Sequence, residues 1–471
     1  MEEFIVAIEL GSTKIVGVAG RKELDGSFSI IAVAKEDASA CIRKGVVYNI
    51  DKTVTCIKNI VGKLENTLKH KIARVYVGVG GQSLRSIKNV VGKDLPTNTI
   101  VSVDMIDELR DTNRNMPYPD MEILNAAIQE YKVDNQLQID PVGIPCQHLD
   151  GNFLNIVWRK SFYSNLNKCF ELANLKIAEL RISLLTLANN VLTEAEKRAG
   201  CVLVDLGADT TSVAVYHKNI LRHLAVIPLG GNNITKDIAS EQIDEEVAER
   251  MKLKYGNAWS TENTNGTSES ISIDNDRSID KLRFNQIVEA RTEEIVLNVM
   301  HQIPYENSNN LLGGIILTGG GANLKNIEAV FRNQPGISKV RTVRFINQEI
   351  HTLDENIKSQ NGMYNTVLSL MVSGDMNCAG EKITGDLFTM PVEEDPEPKT
   401  ATERDPIRVP TKEVMEQEAS DRKKRLEELG VDVNVGKEEE EPQPKKPGNP
   451  WWKQMGHKIS SMLGSLIDED D

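Results

Sequence analysis

The stretch Ile5 to Gly20, IVAIELGSTKIVGVAG, places an acidic residue, a glycine and a small polar turn between two apolar runs. The stretch Cys201 to Tyr216, CVLVDLGADTTSVAVY, repeats that order a domain's length further along the chain. Each stretch alone is typical of an ordinary buried β-hairpin. The pair, in this order, predicts a nucleotide held between duplicated halves of an α/β protein.

Both hairpin turns carry residues suited to phosphate. Glycine at Gly11 and Gly207 permits positive φ, so successive backbone N–H groups can converge on one anion. The acid ahead of each turn, Glu9 or Asp205, is predicted to hold Mg²⁺, usually through water, because that ion prefers one or two carboxylates plus phosphate oxygens. The hairpins therefore predict a phosphate site with a metal site beside it.

A third glycine turn follows the apolar run Ile315 to Leu317 and comprises Gly319, Gly320 and Gly321. Glycines at this point let the backbone approach a ligand with no Cβ in the way. A tight structural turn explains the segment equally well when it is taken alone.

Charge and composition narrow the possible functions. The 471-residue chain is long enough for two or more domains, and its formal net charge of −14 argues against nucleic acid as a principal partner. Six scattered cysteines without a CxxC pair indicate reduced cytosolic thiols. The acidic start of the chain is unlike a signal peptide, and no apolar run is long enough to span a bilayer. Any membrane contact is therefore expected to be peripheral.

Apolar periodicity predicts most of the regular structure. Residues 257–280 are polar and are predicted to form an exposed loop. Residues 84–163 are predicted to form an inserted module of short strands around two helices. The predicted helices are 52–69, 103–113, 121–131, 165–178 and 283–301, and the predicted strands include 5–8, 15–18, 30–34, 73–79 and 314–317.

The composition changes past about Pro391, where prolines and mixed charges predict a disordered linker over 391–449. The final segment, 450–467, predicts an amphipathic helix that lies in a membrane surface, since it is shorter than the ~20 apolar residues that a span requires. The alternative is that this helix docks on the protein's own core or on a partner. The acidic residues 468–471 would repel anionic lipids, so binding is expected to rest on apolar burial. The predicted membrane-binding face comprises Trp451, Trp452, Met455, Ile459, Met462, Leu463, Leu466 and Ile467.

Four further segments lie between the two hairpins and the glycine turn and carry sequence motifs of their own. They are DPVG at Asp140 to Gly143, LANNVLT at Leu187 to Thr193, IPLGG at Ile227 to Gly231, and AERMKLKYG at Ala248 to Gly256. In their order and spacing, from about residue 4 to 380, these segments resemble the actin/Hsp70/sugar-kinase superfamily. More closely, they resemble the FtsA family of bacterial cell-division proteins.

This resemblance implies an actin-like two-domain ATPase fold of the α/β class, in which an inserted FtsA-type subdomain replaces the usual small one. The disordered linker and the C-terminal amphipathic helix would follow the fold. The implied parts are the first domain at 1–83, 164–200 and 356–390; the inserted subdomain at 84–163; the second-domain core at 201–233 and 306–355; the small subdomain of the second half at 234–305; the linker at 391–449; and the membrane-targeting helix at 450–467.

The resemblance also implies that the cleft binds ATP with Mg²⁺. Glu249 and Lys252, one helical turn apart, would contact the ribose and base, and the third glycine turn would close over the adenosine. The implied nucleotide-binding residues are Gly11, Ser12, Thr13, Lys14, Gly207, Ala208, Asp209, Thr210, Glu249, Lys252, Gly319, Gly320 and Gly321, with Glu9 and Asp205 for the metal.

The second hairpin departs from the pattern common among relatives at Ala208, Asp209 and Ser212. A carboxylate at Asp209 would repel phosphate unless it turns outward or meets Mg²⁺. Hydrolysing relatives also use a Gln or Glu to orient water, and residues 187–190 contain neither. We therefore expect ATP binding with weak or no hydrolysis, and we assign no catalytic residue.

The family's function implies a peripheral protein that polymerises as an actin-like filament on the cytoplasmic face of the cell membrane at the division site. It would tether the tubulin-like protein FtsZ, through the region 234–305, and recruit later divisome proteins. Two alternatives are a pilus-assembly scaffold of the same fold and a sugar-kinase-type phosphotransferase. The scaffold would not be expected to carry the terminal helix. The kinase would need a catalytic Asp and a substrate pocket, and neither is evident.

Overall fold

Consecutive apolar residues, rather than alternating ones, form the strands that open the chain, which is typical of a sheet covered on both faces. The computed structural model describes residues 3–260, 269–274, 276–304 and 311–383. Helix α1 packs on this sheet through Ile57, Ile60 and Leu64, which repeat at helical spacing. The first elements are β1 (Ile5–Leu10), β2 (Lys14–Lys22), β3 (Phe28–Asp37), β4 (Ile42–Arg43), β5 (Val46–Val47), α1 (Ile50–Leu68), β6 (His70–Ile72) and β7 (Arg74–Val79).

The inserted module is a four-stranded sheet with one helix against it. Its elements are β8 (Arg85–Ile100), α2 (Val103–Arg114), β9 (Met121–Val133), β10 (Gln136–Gln138) and β11 (Pro145–Arg159). The helix predicted at 103–113 is confirmed, whereas the helix predicted at 121–131 is wrong. Residues 121–133 form a strand because they pair with β11 along almost their whole length, and this pairing outweighs the helical propensity of the segment.

The chain then returns to the first sheet. This part comprises α3 (Lys160–Leu172), β12 (Lys176–Ile182), α4 (Ser183–Val191) and α5 (Glu194–Ala199). The helix predicted at 165–178 begins earlier and ends at Leu172, so its last part is wrong. Asn174 takes a positive φ of 54°, which stops the helix, and residues 176–182 pair in parallel with β7.

The second half repeats the hairpin and its following strand. The loop predicted at 257–280 is wrong in part, because β16 and β17 form a small hairpin that buries Ile271 and Ile279. The elements are β13 (Cys201–Leu206), β14 (Thr211–His217), β15 (Ile220–Ile227), α6 (Gly231–Ala239), α7 (Glu245–Tyr255), β16 (Ser270–Ser272), β17 (Ser278–Asp280), α8 (Lys281–His301), β18 (Gly314–Thr318), α9 (Ile327–Arg332), β19 (Val340–Thr342), β20 (Ile350–His351), α10 (Glu355–Lys358), α11 (Asn365–Val372) and β21 (Ala379–Lys382).

Two large sheets organise these elements. The first has the order β12-β7-β1-β2-β3-β20, and the second has the order β10-β9-β11-β8-β15-β14-β13-β18-β19. The inserted module therefore extends the second sheet, although it is covalently inserted between elements of the first. Ala225 of β15 pairs with Arg85 of β8 where the two parts meet. One apolar cluster fills the first half and continues onto the second sheet, where it includes Leu203, Leu224 and Ile316; a second cluster fills the rest of the second half, and a third lies in the inserted module.

The predicted linker 391–449 and the predicted membrane-targeting helix 450–467 lie outside the described residues. Among the helices of the described residues, none is both long enough and apolar enough to cross a membrane.

Candidate functional site

The two hairpin turns have the same backbone geometry. Gly11 N–H donates to the carbonyl of Lys14 at 3.0 Å, and Gly207 N–H donates to the carbonyl of Thr210 at 2.9 Å. A Cβ at either glycine would lie 2.8 Å from that same carbonyl oxygen, so both turns require glycine. The internal repeat predicted from the sequence is therefore a repeat of conformation as well.

Residues 41–48, which we call the bridging segment, connect the two turns. The N–H of Gly45 donates to Ser12 Oγ at 3.0 Å, and the N–H of Lys44 donates to Asp209 Oδ2 at 3.2 Å. Asn232 Nδ2 also donates to Asp209 Oδ1 at 2.7 Å. Both oxygens of the Asp209 carboxylate thus accept protein hydrogen bonds. These hydrogen bonds stabilise the negative charge of Asp209 in this turn.

The two acids ahead of the turns lie at the ends of β1 and β13. Burial, and then the charge of Asp205, raise the pKa of Glu9 to about 7. Burial raises the pKa of Asp205 to about 6. In the described part of the chain, the buried Oε2 of Glu9 has no hydrogen-bond partner. A buried carboxylate oxygen without a partner, near a second carboxylate, fits a cation such as Mg²⁺.

The third glycine turn lies directly against the second hairpin. Gly319 has a φ of 85°, and a Cβ there would lie 2.4 Å from Asp205 Oδ1. A Cβ at Gly321 would lie 3.0 Å from the Leu206 carbonyl oxygen. The segment continues as a 3₁₀ turn, Gly320–Asn323, and α9 begins only at Ile327. The fold therefore brings the third turn beside one of the two acids.

Glu249 and Lys252 lie on α7, and protein groups already surround both side chains. Lys252 Nζ donates to Thr235 Oγ1 at 2.8 Å and to the Gly231 carbonyl at 3.0 Å, and it lies 2.7 Å from Glu249 Oε2. Gly231 N–H in turn donates to the carbonyl of Gly207 at 3.0 Å. Lys252 thus connects α7 to the second hairpin turn through Gly231. The assignment of the two side chains to ribose and base stays a prediction.

Lys14 and Tyr364 form a contact that the motifs did not predict. Lys14 Nζ lies 4.0 Å from the centre of the Tyr364 ring. Burial lowers the pKa of Lys14, and the nearby Glu9 carboxylate opposes this shift. No motif could have marked Tyr364, because it lies far along the chain in an ordinary apolar segment.

The remaining predicted residues are positioned as follows. Ser12 and Thr13 lie in the first turn, and Ala208 and Thr210 lie in the second. Gly320 lies near Met363, which precedes Tyr364. The predicted membrane-binding residues, Trp451, Trp452, Met455, Ile459, Met462, Leu463, Leu466 and Ile467, lie outside the described residues.

Two sheets that each carry a phosphate-type hairpin define an actin-like two-domain protein with an inserted subdomain. A solved structure, "PilM-PilN type IV pilus biogenesis complex", has this fold with a TM-score of 0.55 and 15% sequence identity, covering 78% of this chain and 97% of that one. Residues 202–369 match the family model "Cell division protein FtsA", and residues 81–157 match "SHS2 domain inserted in FTSA".

Curated relatives described as "Cell division protein FtsA" agree with these models. The protein from Porphyromonas gingivalis is 32% identical over 371 residues, which cover 75% of this chain and 78% of that protein. The protein from Neisseria meningitidis is 31% identical, with coverage of 73% and 88%. The protein from Escherichia coli K12 is 27% identical, with coverage of 69% and 81%. The chain belongs to the FtsA family of cell-division proteins.

Proposed function

We propose that this protein binds ATP with Mg²⁺ between its two halves and polymerises as an actin-like filament on the cytoplasmic face of the cell membrane. There it tethers FtsZ at the division site and recruits later divisome proteins. The observation that carries nucleotide binding is the pair of matching glycine turns, joined by the bridging segment, with an unpartnered buried carboxylate oxygen of Glu9 beside them. Membership of the FtsA family supports the role in division.

Each half contributes one phosphate turn to this site. Backbone N–H groups of residues 11–14 and 207–210 bind phosphate oxygens, as successive N–H groups do in other anion sites. Glu9 and Asp205 hold Mg²⁺, which neutralises phosphate charge when it is bound. Gly319 to Gly321 form the wall beside the adenosine. Because residues 187–190 provide neither Gln nor Glu to orient water, we expect weak or no hydrolysis.

Nucleotide binding is tested with the double variant E9Q/D205N in the full-length protein. Fluorescent ATP with Mg²⁺ should bind the wild type and should bind the variant at least tenfold more weakly. The matched control is Glu293→Gln, since Glu293 is an exposed carboxylate on α8 far from both turns in the sequence. Equal affinity in the wild type and E9Q/D205N would contradict the assignment of the metal ligands. No binding by the wild type would contradict the nucleotide proposal itself.

The terminal segment serves as the membrane anchor in this proposal. Fully burying a large apolar side chain contributes about 1.5–3 kcal/mol, and partial immersion contributes less, so one helix binds reversibly. A filament that presents many such helices binds firmly by avidity. If residues 391–449 behave as a flexible chain, they reach about 40–45 Å, which lets the folded part lie off the bilayer.

The tether is tested by co-sedimentation of FtsZ with liposomes in the presence of this protein and ATP. The intact chain should carry FtsZ to the liposomes, and the chain truncated after Gly448 should not. Leu463→Asp, on the apolar face, should reduce liposome binding, whereas Ser460→Asp, on the polar face, is the control of equal added charge. Recruitment by the truncated chain would refute the anchor, and no recruitment by the intact chain would refute the tether.

A further inference from the structure

The ammonium group of Lys14 lies over an aromatic ring beside the first hairpin turn. Its Nζ is 4.0 Å from the centre of the Tyr364 ring, a distance typical of a cation–π contact. Lys14 is the first residue after the first phosphate turn and the first residue of β2. Within the described residues, no hydrogen bond or ion pair occupies this Nζ, although Glu9 is close enough to affect its pKa. The ring is thus the main contact of the charged group.

Tyr364 is itself fixed in place. Its side chain is only 5% exposed, and it precedes α11, which packs on β1 and β2. The preceding residue, Met363, lies against Gly320 of the third glycine turn. The segment Met363–Tyr364 therefore contacts both the first hairpin turn, through Lys14, and the third glycine turn, through Gly320.

The chemistry of the contact matters for a phosphate ligand. A carboxylate in contact with Lys14 would neutralise the ammonium and take up its donors. An aromatic face attracts the cation electrostatically without neutralising it, and the N–H groups that point away from the ring stay available to donate. The lysine side chain is also flexible and loses much rotamer freedom on binding, so holding it in advance reduces that cost.

We propose that Tyr364 is the positioning residue for Lys14: its ring holds the ammonium beside the first phosphate turn, with its N–H donors free for the phosphate oxygens of a bound nucleoside triphosphate. The inference rests on the proposed nucleotide function and adds a residue that no motif marks. A purely structural Tyr364, which only fills space under α11, is the competing explanation, and the two make different predictions.

The first test is a double-mutant cycle on the affinity for fluorescent ATP with Mg²⁺. Tyr364→Leu should weaken binding about 5- to 30-fold, which spans the range from an exposed to a desolvated cation–π contact, and Tyr364→Phe should stay within about twofold of wild type. In a Lys14→Met background, Tyr364→Leu should have little further effect because the cation is already absent. An equal loss in both backgrounds would show a structural role and overturn the proposal.

The second test needs no nucleotide. Acylation of lysines with a limiting amine-reactive reagent, read out by mass spectrometry, reports how accessible each ammonium group is. Lys14 should be modified several-fold faster in Tyr364→Leu than in wild type or Tyr364→Phe, while the exposed Lys35 and Lys44 react unchanged and serve as internal references. Equal Lys14 reactivity in all three proteins would refute the positioning role.

The two tests also separate this inference from the nucleotide proposal. If the wild type binds no ATP but Lys14 becomes more reactive in Tyr364→Leu, the contact is real and the proposed function fails. If the wild type binds ATP and Tyr364→Leu matches it in both tests, the proposed function stands and the inference fails.

Discussion

Glu9 is one of two buried carboxyl groups whose pKa values are raised well above the ordinary range. Burial, together with the charge of Asp205, raises the pKa of Glu9 from its ordinary 4.5 to about 7. Between these two values the unfolded chain loses the proton before the folded chain does. The folded state then binds more protons, so the free energy of unfolding falls as pH rises through this window.

Replacing Glu9 with Gln should remove that loss. In EDTA and without nucleotide, we expect E9Q to be more stable than wild type at pH 8, by on the order of 1–3 kcal/mol, and nearly equal near pH 4.5. Urea denaturation across this pH range measures the difference. Glu293→Gln, which changes an exposed carboxylate, should show no such crossover. A wild-type profile parallel to that of E9Q would mean that Glu9 is not protonated near neutral pH.

Asp209 differs from Glu9, because its carboxylate accepts a hydrogen bond from the bridging segment and would repel a phosphate group bound nearby. Asp209→Asn removes the charge and keeps one oxygen as an acceptor for the N–H of Lys44, which lies 3.2 Å from Asp209 Oδ2. The new NH₂ group replaces the oxygen that accepts from Asn232 Nδ2, so the side-chain amide of Asn232 must turn to present its own oxygen. Because the loss of repulsion then dominates, we expect ATP to bind D209N about 2- to 10-fold more tightly than wild type. Titration with fluorescent ATP measures this change.

Asp209→Ala is the matched variant, because it removes the charge and the hydrogen bonds together. Hydrogen exchange of the bridging segment, residues 41–48, should accelerate in D209A and stay near wild type in D209N. If D209N bound ATP more weakly than wild type, the charge of Asp209 would have to favour the ligand, for example through Mg²⁺.

Individual residues of the site differ in how far the sequence could predict them. Gly11 and Gly207 were predicted from the turn pattern for their freedom to take positive φ, which neither of them takes; glycine is required because a Cβ would meet the carbonyl oxygen that closes the turn. Lys44 and Tyr364 were not, because only the folded chain brings them to the turns and neither contact depends on a local pattern. Lys252 was assigned to the nucleotide from the family resemblance, yet its N–H groups donate to Thr235 and Gly231.

Strand β9 shows the limit of periodicity as a predictor of secondary structure. Its sequence, MEILNAAIQEYKV, contains good helix formers with apolar residues at mixed intervals, so the isolated segment favours a helix. In the folded chain, β9 lies between β10 and β11 and pairs antiparallel with both, and this pairing stabilises the strand instead. The short hairpins β1–β2 and β13–β14 were predicted correctly because their turns and their partners are local in sequence.

An ion pair between β9 and β15 connects the inserted module with the second half. Arg222 of β15 donates to both oxygens of Glu130 in β9, at 2.9 and 2.6 Å. These side chains are only 16% and 20% exposed, so solvent screens the pair weakly. The Arg222 guanidinium also holds the pKa of Glu130 below its usual range.

A double-mutant cycle with Glu130→Ala and Arg222→Ala should therefore give a coupling of about 1–3 kcal/mol in the free energy of unfolding. Chemical denaturation at neutral pH measures it. The control cycle uses the pair Glu246 and Arg250, whose side chains are 84% and 62% exposed, and it should give at most about 0.5 kcal/mol. Equal coupling in the two cycles would mean that the junction is no stronger than a surface ion pair.

The described fold combines a first half and a second half, which meet at the bridging segment, at the inserted module and through an apolar cluster that includes residues of both. The hydrogen bonds from Lys44 and Gly45 connect the two phosphate turns directly. The β8–β15 pairing connects the inserted module, whose chain leaves and re-enters the first half, with the second sheet. A ligand that binds both turns therefore acts on the entire described fold rather than on one half.

This connection predicts how ATP and Mg²⁺ should stabilise the protein. A ligand at about 100 times its Kd adds about 2.7 kcal/mol to the free energy of unfolding, so Tm should rise by several degrees. Hydrogen exchange should slow in both turns together, at residues 11–14 and 207–210, because each half supplies one of them.

Removal of Mg²⁺ with EDTA should reverse most of the rise in Tm, and E9Q/D205N should show little rise at the same ATP concentration. Protection confined to one turn would mean that ATP binds to one half alone, and the duplicated hairpins would then not act as a single site.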